Sequence, residues 1–322
     1  MPNRREAPGG NLLDRPAGHP EHSGFPMNPN EAPQATVKLR GDVLAKEVKL
    51  TVGEAAERLA AAGTPPKMAV ILASEDPASV TYAEAKKKAA AALGIEVEIH
   101  HLGMRTTQAE LLAICRALSA DGTVHGILLE LPLAAGLDAD EALGEIAPEK
   151  DIDGLTPYNL GLISAGKEAD ALTSATAQAC ILLAETQGPL AGKRVALIGR
   201  GRTVGRPLMG MLVNRHATVT VCHTRTRDLK AAIADCEVVM VAIGKARRIT
   251  GAELGAGQVV IDAGINYLDG KLVGDVDAAS VEGVAAALTP VPGGVGPLTS
   301  ALIFQNLIRA AERSVRSHHG GV

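Results

Sequence analysis

Aromatic residues are scarce in this chain of 322 residues, which has no tryptophan, three tyrosines and two phenylalanines. Basic runs with interleaved aromatic residues, typical of nucleic-acid-binding surfaces, are also missing, and the net charge is −4. We therefore expect no nucleic-acid partner. Because tyrosine is so rare here, a tyrosine that falls within a motif is a candidate for a specific role.

Paired cysteines and metal-binding histidine spacings are missing as well. The four cysteines are far apart and form no C-x-x-C motif, which favours reduced thiols in a cytoplasmic protein over a disulfide framework. No histidine pair combines H-x-x-x-H spacing with a carboxylate, so we predict no metal site. No apolar run reaches the ~20 residues that a membrane-spanning helix needs, so we expect no membrane partner.

The two ends of the chain lack the patterns of folded segments. Residues 1–34 are rich in proline, glycine, asparagine and charge and have no secretory apolar segment, which predicts a disordered extension. Residues 317–322 are expected to form a tail. An alternative start at Met27 predicts that mass spectrometry of the native protein finds no peptide from residues 5–22.

Between these ends, helical and strand patterns alternate, as in proteins with parallel sheets. We predict two α/β domains with a cleft between them: residues 35–168 completed by 299–316, and residues 169–298 as a Rossmann-like, doubly wound parallel sheet. Predicted helices cover residues 42–62, 77–93, 107–119, 175–186 and 301–313, with a further helix ending near residue 214. Predicted strands cover residues 68–72, 96–101, 126–131, 194–198, 218–222, 238–242 and 258–261.

A glycine-rich turn, GRGRTVG at residues 199–205, follows the apolar strand at residues 194–198. Backbone N–H groups of such a turn and the positive end of the next helix can bind a dinucleotide pyrophosphate. The G-x-G-x-x-x-G spacing is one residue longer than the usual fingerprint, and a tight turn without a ligand remains an alternative.

The segment after the next strand, CHTRTR at residues 222–227, contains basic and hydroxyl residues. An NAD site places an acid about 20 residues past the first glycine to hold the ribose 2′-hydroxyl, and none occurs here. This favours the 2′-phosphate of NADP, with Arg200 adding charge-assisted contacts. The alternative is that Arg225 and Arg227 are solvated surface residues.

Tyr82 and Lys86 are four residues apart, and so share one face of a predicted helix. Short-chain dehydrogenases have a catalytic Y-x-x-x-K pair, but their glycine loop precedes the pair, whereas here it follows. The alternative is a routine tyrosine beside a solvated lysine run at residues 86–88. A second unusual segment, TPVPGGVGPLT at residues 289–299, predicts a rigid loop that a flat ligand can approach, with an ordinary turn as the alternative.

Taken in chain order, these motifs resemble those of the bifunctional methylenetetrahydrofolate dehydrogenase/cyclohydrolase family. Five further matches support the resemblance: DPAS at residues 76–79, GILLELPL at 126–133, PEKDIDG at 148–154, CHT at 222–224 and GDVD at 274–277. The resemblance implies hydride transfer from 5,10-methylene-tetrahydrofolate to NADP⁺, followed by hydrolysis of the methenyl product to 10-formyl-tetrahydrofolate. It also implies a homodimer, a folate-binding first domain and an NADP-binding second domain.

The resemblance assigns roles to particular residues. Tyr82 would stack on the folate ring, Asp153 would accept hydrogen bonds from the pterin, and Lys86 would polarise the reacting centre and assist proton transfer, with Glu130 beside it as a fourth catalytic candidate. The remaining candidates are Pro292, Gly293 and Gly294 for substrate, and Gly199, Arg200, Gly201, Val204, Gly205, Thr224, Thr173 and Ile265 for the cofactor.

Three departures from the family pattern bear on the chemistry. Glu130 replaces the family's glutamine, and a carboxylate there would stabilise the ammonium form of Lys86, making the lysine a poor base and weakening hydrolysis. The junction ALTSAT at residues 171–176 replaces P-C-T-P-x-G and keeps only Thr173, and Gly201 replaces a serine. Three alternatives follow: a diverged paralogue with weak or no cyclohydrolase activity, a folate- or nucleotide-binding protein with little turnover, and a dehydrogenase for another substrate.

Overall fold

The computed structural model describes residues 35–74, 77–103 and 105–319. The predicted extension at residues 1–34 and the last three residues of the predicted tail lie outside the described residues. The first half contains β1 (Val37–Lys38), α1 (Gly41–Ala61), β2 (Lys67–Leu72), α2 (Pro77–Ala91), β3 (Glu96–His101), α3 (Gln108–Ala120), β4 (Gly126–Leu129), α4 (Ala139–Gly144), a 3-10 helix (Pro148–Lys150) and α5 (Pro157–Ser164).

The second half continues the alternation of helices and strands. It contains α6 (Ala175–Glu185), β5 (Arg194–Ile198), α7 (Gly205–Asn214), β6 (Thr218–Cys222), α8 (Leu229–Ile233), β7 (Val238–Val241), β8 (Val259–Asp262), β9 (Asn266–Leu268), β10 (Lys271–Val273), α9 (Ala278–Val281), β11 (Ala287–Leu288) and α10 (Val295–His319). The predicted α/β class is confirmed, and apart from the ends of α10 the predicted boundaries lie within two residues of those observed.

Two parallel sheets carry the fold. One has six strands in the order β1-β11-β8-β7-β5-β6, and the other has three in the order β3-β2-β4. A separate antiparallel pair is formed by β9 and β10. The strands β4 and β7 are buried along their whole length, as expected of parallel strands covered by helices on both faces. Among the described residues, none of the helices combines the length and apolar character needed to cross a membrane.

Short-range patterns explain why individual elements form where they do. Helix α3 begins after Thr107, whose hydroxyl accepts the N–H of Glu110 while the Glu110 carboxylate accepts the N–H of Thr107. This reciprocal capping box satisfies two N–H groups that the helix cannot pair internally. Leu111, Cys115 and Leu118 then follow at helical spacing and are buried. Sequence alone therefore suffices to place this helix.

Strand β1 lies before the first predicted element, in a stretch where no strand was predicted. It pairs in parallel with β11 and forms an edge of the six-stranded sheet. The Thr36 hydroxyl donates to the Ala285 carbonyl at 2.9 Å, which fixes the chain beside that sheet. A strand of two residues has no periodicity to read, because its partners lie at the other end of the sequence.

Helix α10 is longer than predicted, beginning at Val295 instead of residue 301 and ending at His319. Pro297 lies in its first turn, where proline removes no intrahelical hydrogen bond, so the glycine- and proline-rich segment is partly helical. Residues 317–319 of the predicted tail form its last turn. Phe304 and Leu307 are fully buried, and α10 packs on α1 from the first half and on α6 from the second.

Candidate active site

Lys86 and Glu130 form a largely buried ion pair. Lys86 lies on α2, which follows β2, and Glu130 comes directly after β4, the neighbour of β2. The Lys86 Nζ donates to both Glu130 carboxylate oxygens, at 2.8 and 2.6 Å, and the side chains are only 15% and 12% exposed. The bidentate contact offsets part of the desolvation cost of burying both charges. The structure thus brings together the two residues that the resemblance places side by side.

Asp153 completes a charged cluster with this pair. It follows Asp151, which forms a parallel bridge with Ile127 of β4. Burial, together with the charges of Asp151 and Glu130 and against that of Lys86, raises the pKa of the Asp153 carboxyl to about 8. We call Lys86, Glu130 and Asp153 the lysine cluster. At neutral pH the Asp153 carboxyl of this cluster therefore retains its proton.

The other charged residues of the segment 148–154 hold the turn in place. The Asp151 carboxylate accepts the N–H groups of Gly154 and Thr156, at 2.9 and 2.7 Å, and the side-chain amide of Asn159 at 3.0 Å. Lys150 Nζ donates to carbonyl groups at the end of α3. These contacts leave Asp153 as the one acid of this segment in the lysine cluster.

Replacing Asp153 with asparagine is expected to stabilise the protein at high pH. The folded-state pKa of about 8 lies above the ordinary value of 3.8, so the carboxyl's contribution to stability is complete at low pH and is lost as the pH rises through 8. Asparagine stays neutral, and with ~1.4 kcal/mol per pH unit between pH 5 and the folded-state pKa, Asp153→Asn should gain about 4 kcal/mol at pH 9 relative to pH 5. Thermal unfolding at both pH values measures this, and a gain that does not grow with pH would contradict it.

Gly154 brings the lysine cluster against the junction between the two halves. It has a φ of +69°, and a Cβ there would overlap the backbone of residues 172–174. Asn306 of α10 ties the same two segments together, because its buried amide donates to the carbonyl groups of Ile152 and Thr173, both at 2.9 Å. Sequence reasoning missed Asn306; the available signal was an amide on the apolar face of α10, between Phe304 and Leu307.

The altered junction contacts the glycine turn. Ser174 begins α6 as its N-cap, and its hydroxyl donates to the carbonyl of Thr203 at 2.9 Å. Thr173 is buried, and its hydroxyl donates to the Gln178 side chain at 2.8 Å. The serine at position 174, where the family has proline, thus anchors the turn. Successive contacts connect the lysine cluster through Gly154 and the junction to the turn.

The glycine turn is held tightly between β5 and α7. Gly199 has a φ of +117°, its N–H donates to the Cys222 carbonyl at 2.9 Å, and a Cβ there would overlap the Ala242 carbonyl. A Cβ at Gly205 would press on the backbone of residues 199–200, whereas Gly201 faces open space. Val204 immediately precedes α7. In the first turn of this helix the Arg206 N–H donates to the Gly201 carbonyl at 2.9 Å and Pro207 has no N–H, so an anion there would meet the Gly205 N–H and the positive end of the helix.

Gly199→Ala is expected to disrupt the turn, because its Cβ would meet backbone atoms and its φ is one that side chains rarely adopt. We expect a loss of about 2 kcal/mol or more in the free energy of unfolding, and weaker NADP binding. Chemical denaturation and ligand titration measure the two effects. Gly201→Ala is the matched control for stability, and equal stability losses in both variants would contradict the assignment.

Exposed basic residues lie beside this turn. Arg200 follows β5, and Thr224, Arg225 and Arg227 follow β6, the parallel neighbour of β5. Within the described part of the chain, none of the three arginines forms an ion pair with a carboxylate. Because parallel strands end at one edge of the sheet, their charges lie where a cofactor phosphate would be bound. In contrast, Arg202 pairs with Asp140 of α4.

Ile265 and residues 292–294 lie near the first turn of α10. Gly293, with a φ of +104°, accepts the N–H of Gly41 at 2.9 Å, so residues 292–294 pack on the beginning of α1. Ile265 follows β8 and is 50% exposed, close to Gly296.

Tyr82 lies one turn before Lys86 on α2. Its side chain lies outside the described residues, so its stacking role stays a prediction. No cluster of potential metal ligands occurs in the described ranges.

Two family models match this chain. The catalytic domain of tetrahydrofolate dehydrogenase/cyclohydrolase matches residues 39–153, and the NAD(P)-binding domain of the same family matches residues 174–315. The first match ends at Asp153, and the second begins at Ser174. The segment between the two matches therefore contains Gly154 and the first half of the junction, residues 171–173.

Relatives and solved structures agree with these matches. The bifunctional protein FolD of Heliobacterium modesticaldum is 48% identical over 270 residues, covering 83% of this chain and 93% of its own, and that of Deinococcus radiodurans is 52% identical over 250 residues, covering 77% and 83%. The crystal structure of the bifunctional FolD enzyme from Campylobacter jejuni has a TM-score of 0.83 at 38% identity, covering 87% of this chain and 99% of that one. A Trypanosoma brucei methylenetetrahydrofolate dehydrogenase-cyclohydrolase, complexed with NADP and an inhibitor, has a TM-score of 0.82 at 34% identity, covering 88% and 99%. The chain described here belongs to the tetrahydrofolate dehydrogenase/cyclohydrolase family.

Proposed function

We propose that this protein oxidises 5,10-methylene-tetrahydrofolate with NADP⁺ and hydrolyses the methenyl product to 10-formyl-tetrahydrofolate. The observation that carries the proposal is the connection of the lysine cluster, through Gly154 and Ser174, to a glycine turn beside the exposed residues Arg200, Arg225 and Arg227. A reacting centre and a dinucleotide site joined through one junction suit a reaction between a folate and a nicotinamide. Membership of a family with both activities supports the same conclusion.

The residues of the glycine turn fit NADP. The close approach of backbone at Gly199 and Gly205 leaves no room for side chains, and the Gly205 N–H with the positive end of α7 suits a pyrophosphate. Arg200 and Thr224 would hold the 2′-phosphate, and Gly201, Val204, Thr173 and Ile265 would border the rest of the cofactor. When bound, NADP⁺ supplies the hydride acceptor.

The lysine cluster would bind the folate and manage protons. The Lys86 ammonium would polarise the reacting centre, and Asp153 would hydrogen-bond the pterin edge, with Tyr82 stacked on the ring and residues 292–294 beside it. In the hydrolytic step, water adds to the methenyl carbon and loses one proton. The resulting hydroxyl then loses its own proton as the formyl carbonyl forms, and the carbon–N5 bond breaks as N5 gains a proton. Lys86 would assist these proton transfers.

We also propose how the chain divides its work. The part from β2 to α5, together with α10, would carry the folate, and the six-stranded sheet with its helices would carry NADP. The protein would act as a homodimer in the cytoplasm. Analytical ultracentrifugation of the purified chain tests the dimer, and a monomer at micromolar concentration would contradict it.

A direct assay tests the function. Purified protein mixed with 5,10-methylene-tetrahydrofolate and NADP⁺ should develop the absorbance of the methenyl compound, which then decays as hydrolysis proceeds. Binding of both ligands without product would contradict the proposal in favour of a binding protein. Absence of folate binding would contradict it in favour of a dehydrogenase for another substrate.

A further inference from the structure

Asp275 is a fully buried acid whose carboxylate accepts four hydrogen bonds. It follows β10 in the GDVD segment, and its Oδ2 accepts the N–H groups of Ile243 and Gly244 at 2.7 and 2.9 Å. Its Oδ1 accepts the N–H of Lys245 and the side-chain amide of Asn266, at 2.8 and 2.9 Å. Three consecutive backbone N–H groups therefore donate hydrogen bonds to one side chain. We call the loop that they belong to, residues 243–245, the clamped loop.

The clamped loop lies beside the glycine turn. It follows β7, which pairs with β5, so both loops leave the sheet at the same edge. Gly199 packs so closely on the Ala242 carbonyl that no Cβ fits between them. Ligands of such sheets bind across the loops at the carboxyl ends of the strands. A displacement of the clamped loop would therefore also displace the turn assigned to the pyrophosphate.

The cluster of donors specifically requires a carboxylate. Two carboxylate oxygens can accept all four hydrogen bonds, whereas an amide would turn an NH₂ group toward N–H donors. Asp275 also has little freedom to move, because its own N–H donates to Asp262 Oδ1 at 3.0 Å and its carboxyl fills the space where Gly264 lacks a Cβ. The acid is rigidly held at the one place where it can fix the clamped loop.

We propose that Asp275 is a positioning residue for the cofactor, which sets NADP affinity by fixing the clamped loop and takes no part in hydrolysis of the methenyl compound. This inference rests on the proposed function for its kinetic readouts. The NADP affinity itself is measured without any turnover.

The test compares Asp275→Asn with Asp277→Asn in the full chain. Asp277 belongs to the same segment, and its carboxylate accepts no hydrogen bond from the described residues. We expect Asp275→Asn to raise both the Kd for NADP, measured by calorimetric titration, and the KM for NADP⁺ at least tenfold. Hydrolysis of the methenyl compound, assayed without NADP, should stay within twofold, and Asp277→Asn should change neither. An unchanged Kd, or hydrolysis falling in parallel with affinity, would overturn the proposal.

A second variant tests the proposal if Asp275→Asn fails to fold. Asn266→Ala removes one of the four donors and leaves the backbone contacts intact, so the Kd for NADP should rise about threefold; no rise would count against the proposal. The two proposals fail separately. A wild-type chain that binds NADP but turns over no folate contradicts the proposed function, while the Kd values still decide the role of Asp275.

Discussion

Lys86→Met is expected to reduce hydrolysis of the methenyl compound by about 10²–10⁴-fold, the usual contribution of a positioned acid or base. The dehydrogenase rate should fall less, because hydride transfer needs the lysine charge but no proton from it. The decay of methenyl absorbance measures hydrolysis. The variant should also lose stability, since Glu130 would remain buried without its cation.

Two further variants separate chemistry from folding. Lys88→Met changes an exposed lysine on the same helix and should leave both rates near wild type. The double variant Lys86→Met/Glu130→Gln removes the uncompensated charge and should recover stability without recovering hydrolysis. A single Lys86→Met variant that hydrolyses within threefold of wild type would exclude the lysine from the proton-transfer step.

Glu130→Gln is expected to increase hydrolysis, by about tenfold, because the carboxylate whose two oxygens both accept hydrogen bonds from Lys86 Nζ would be gone. An amide can orient the amine in either protonation state, so the lysine could also accept the proton that the attacking water loses. The pKa of Asp153 should fall as well, since the Glu130 charge contributes to raising it. The rate of hydrolysis from pH 6 to pH 9 measures both effects.

The control for this substitution is Glu84→Gln, on the same helix, where the carboxylate is exposed. It should leave hydrolysis unchanged. If Glu130→Gln instead lowers the rate, the carboxylate is itself useful to the reaction, for example as the base that takes the proton of water. An unchanged rate would show that the ion pair does not limit hydrolysis.

Much of the fold could be predicted because local patterns determine it. The strands β5 and β6 are largely apolar or β-branched runs, and helix α3 has its own N-terminal cap. The ends of these elements can therefore be located from neighbouring residues. Strand β1 could not be predicted, because its pairing with β11 depends on residues some 250 positions away. The beginning of α10 was misplaced because the whole segment 289–299 was predicted as a loop, whereas its last residues, with Pro297, form the first turn of the helix.

The site was predictable to the extent that its motifs are contiguous. The family resemblance was enough to place Glu130 beside Lys86. The glycine turn could be recognised from its position after a strand. Asn306, Ser174 and Asp275 act through contacts between distant segments. Nothing in the residues around them indicates those partners. Such positioning contacts become visible only when the chain is folded.

The fate of deuterium placed on the methylene carbon of the substrate tests most directly whether the lysine cluster and the glycine turn serve one folate. We predict that reduced NADP isolated after a single turnover carries one deuterium for each methenyl group formed. Methenyl formation with deuterium lost to water, or reduced NADP without the label, would contradict direct transfer between the two halves of the site.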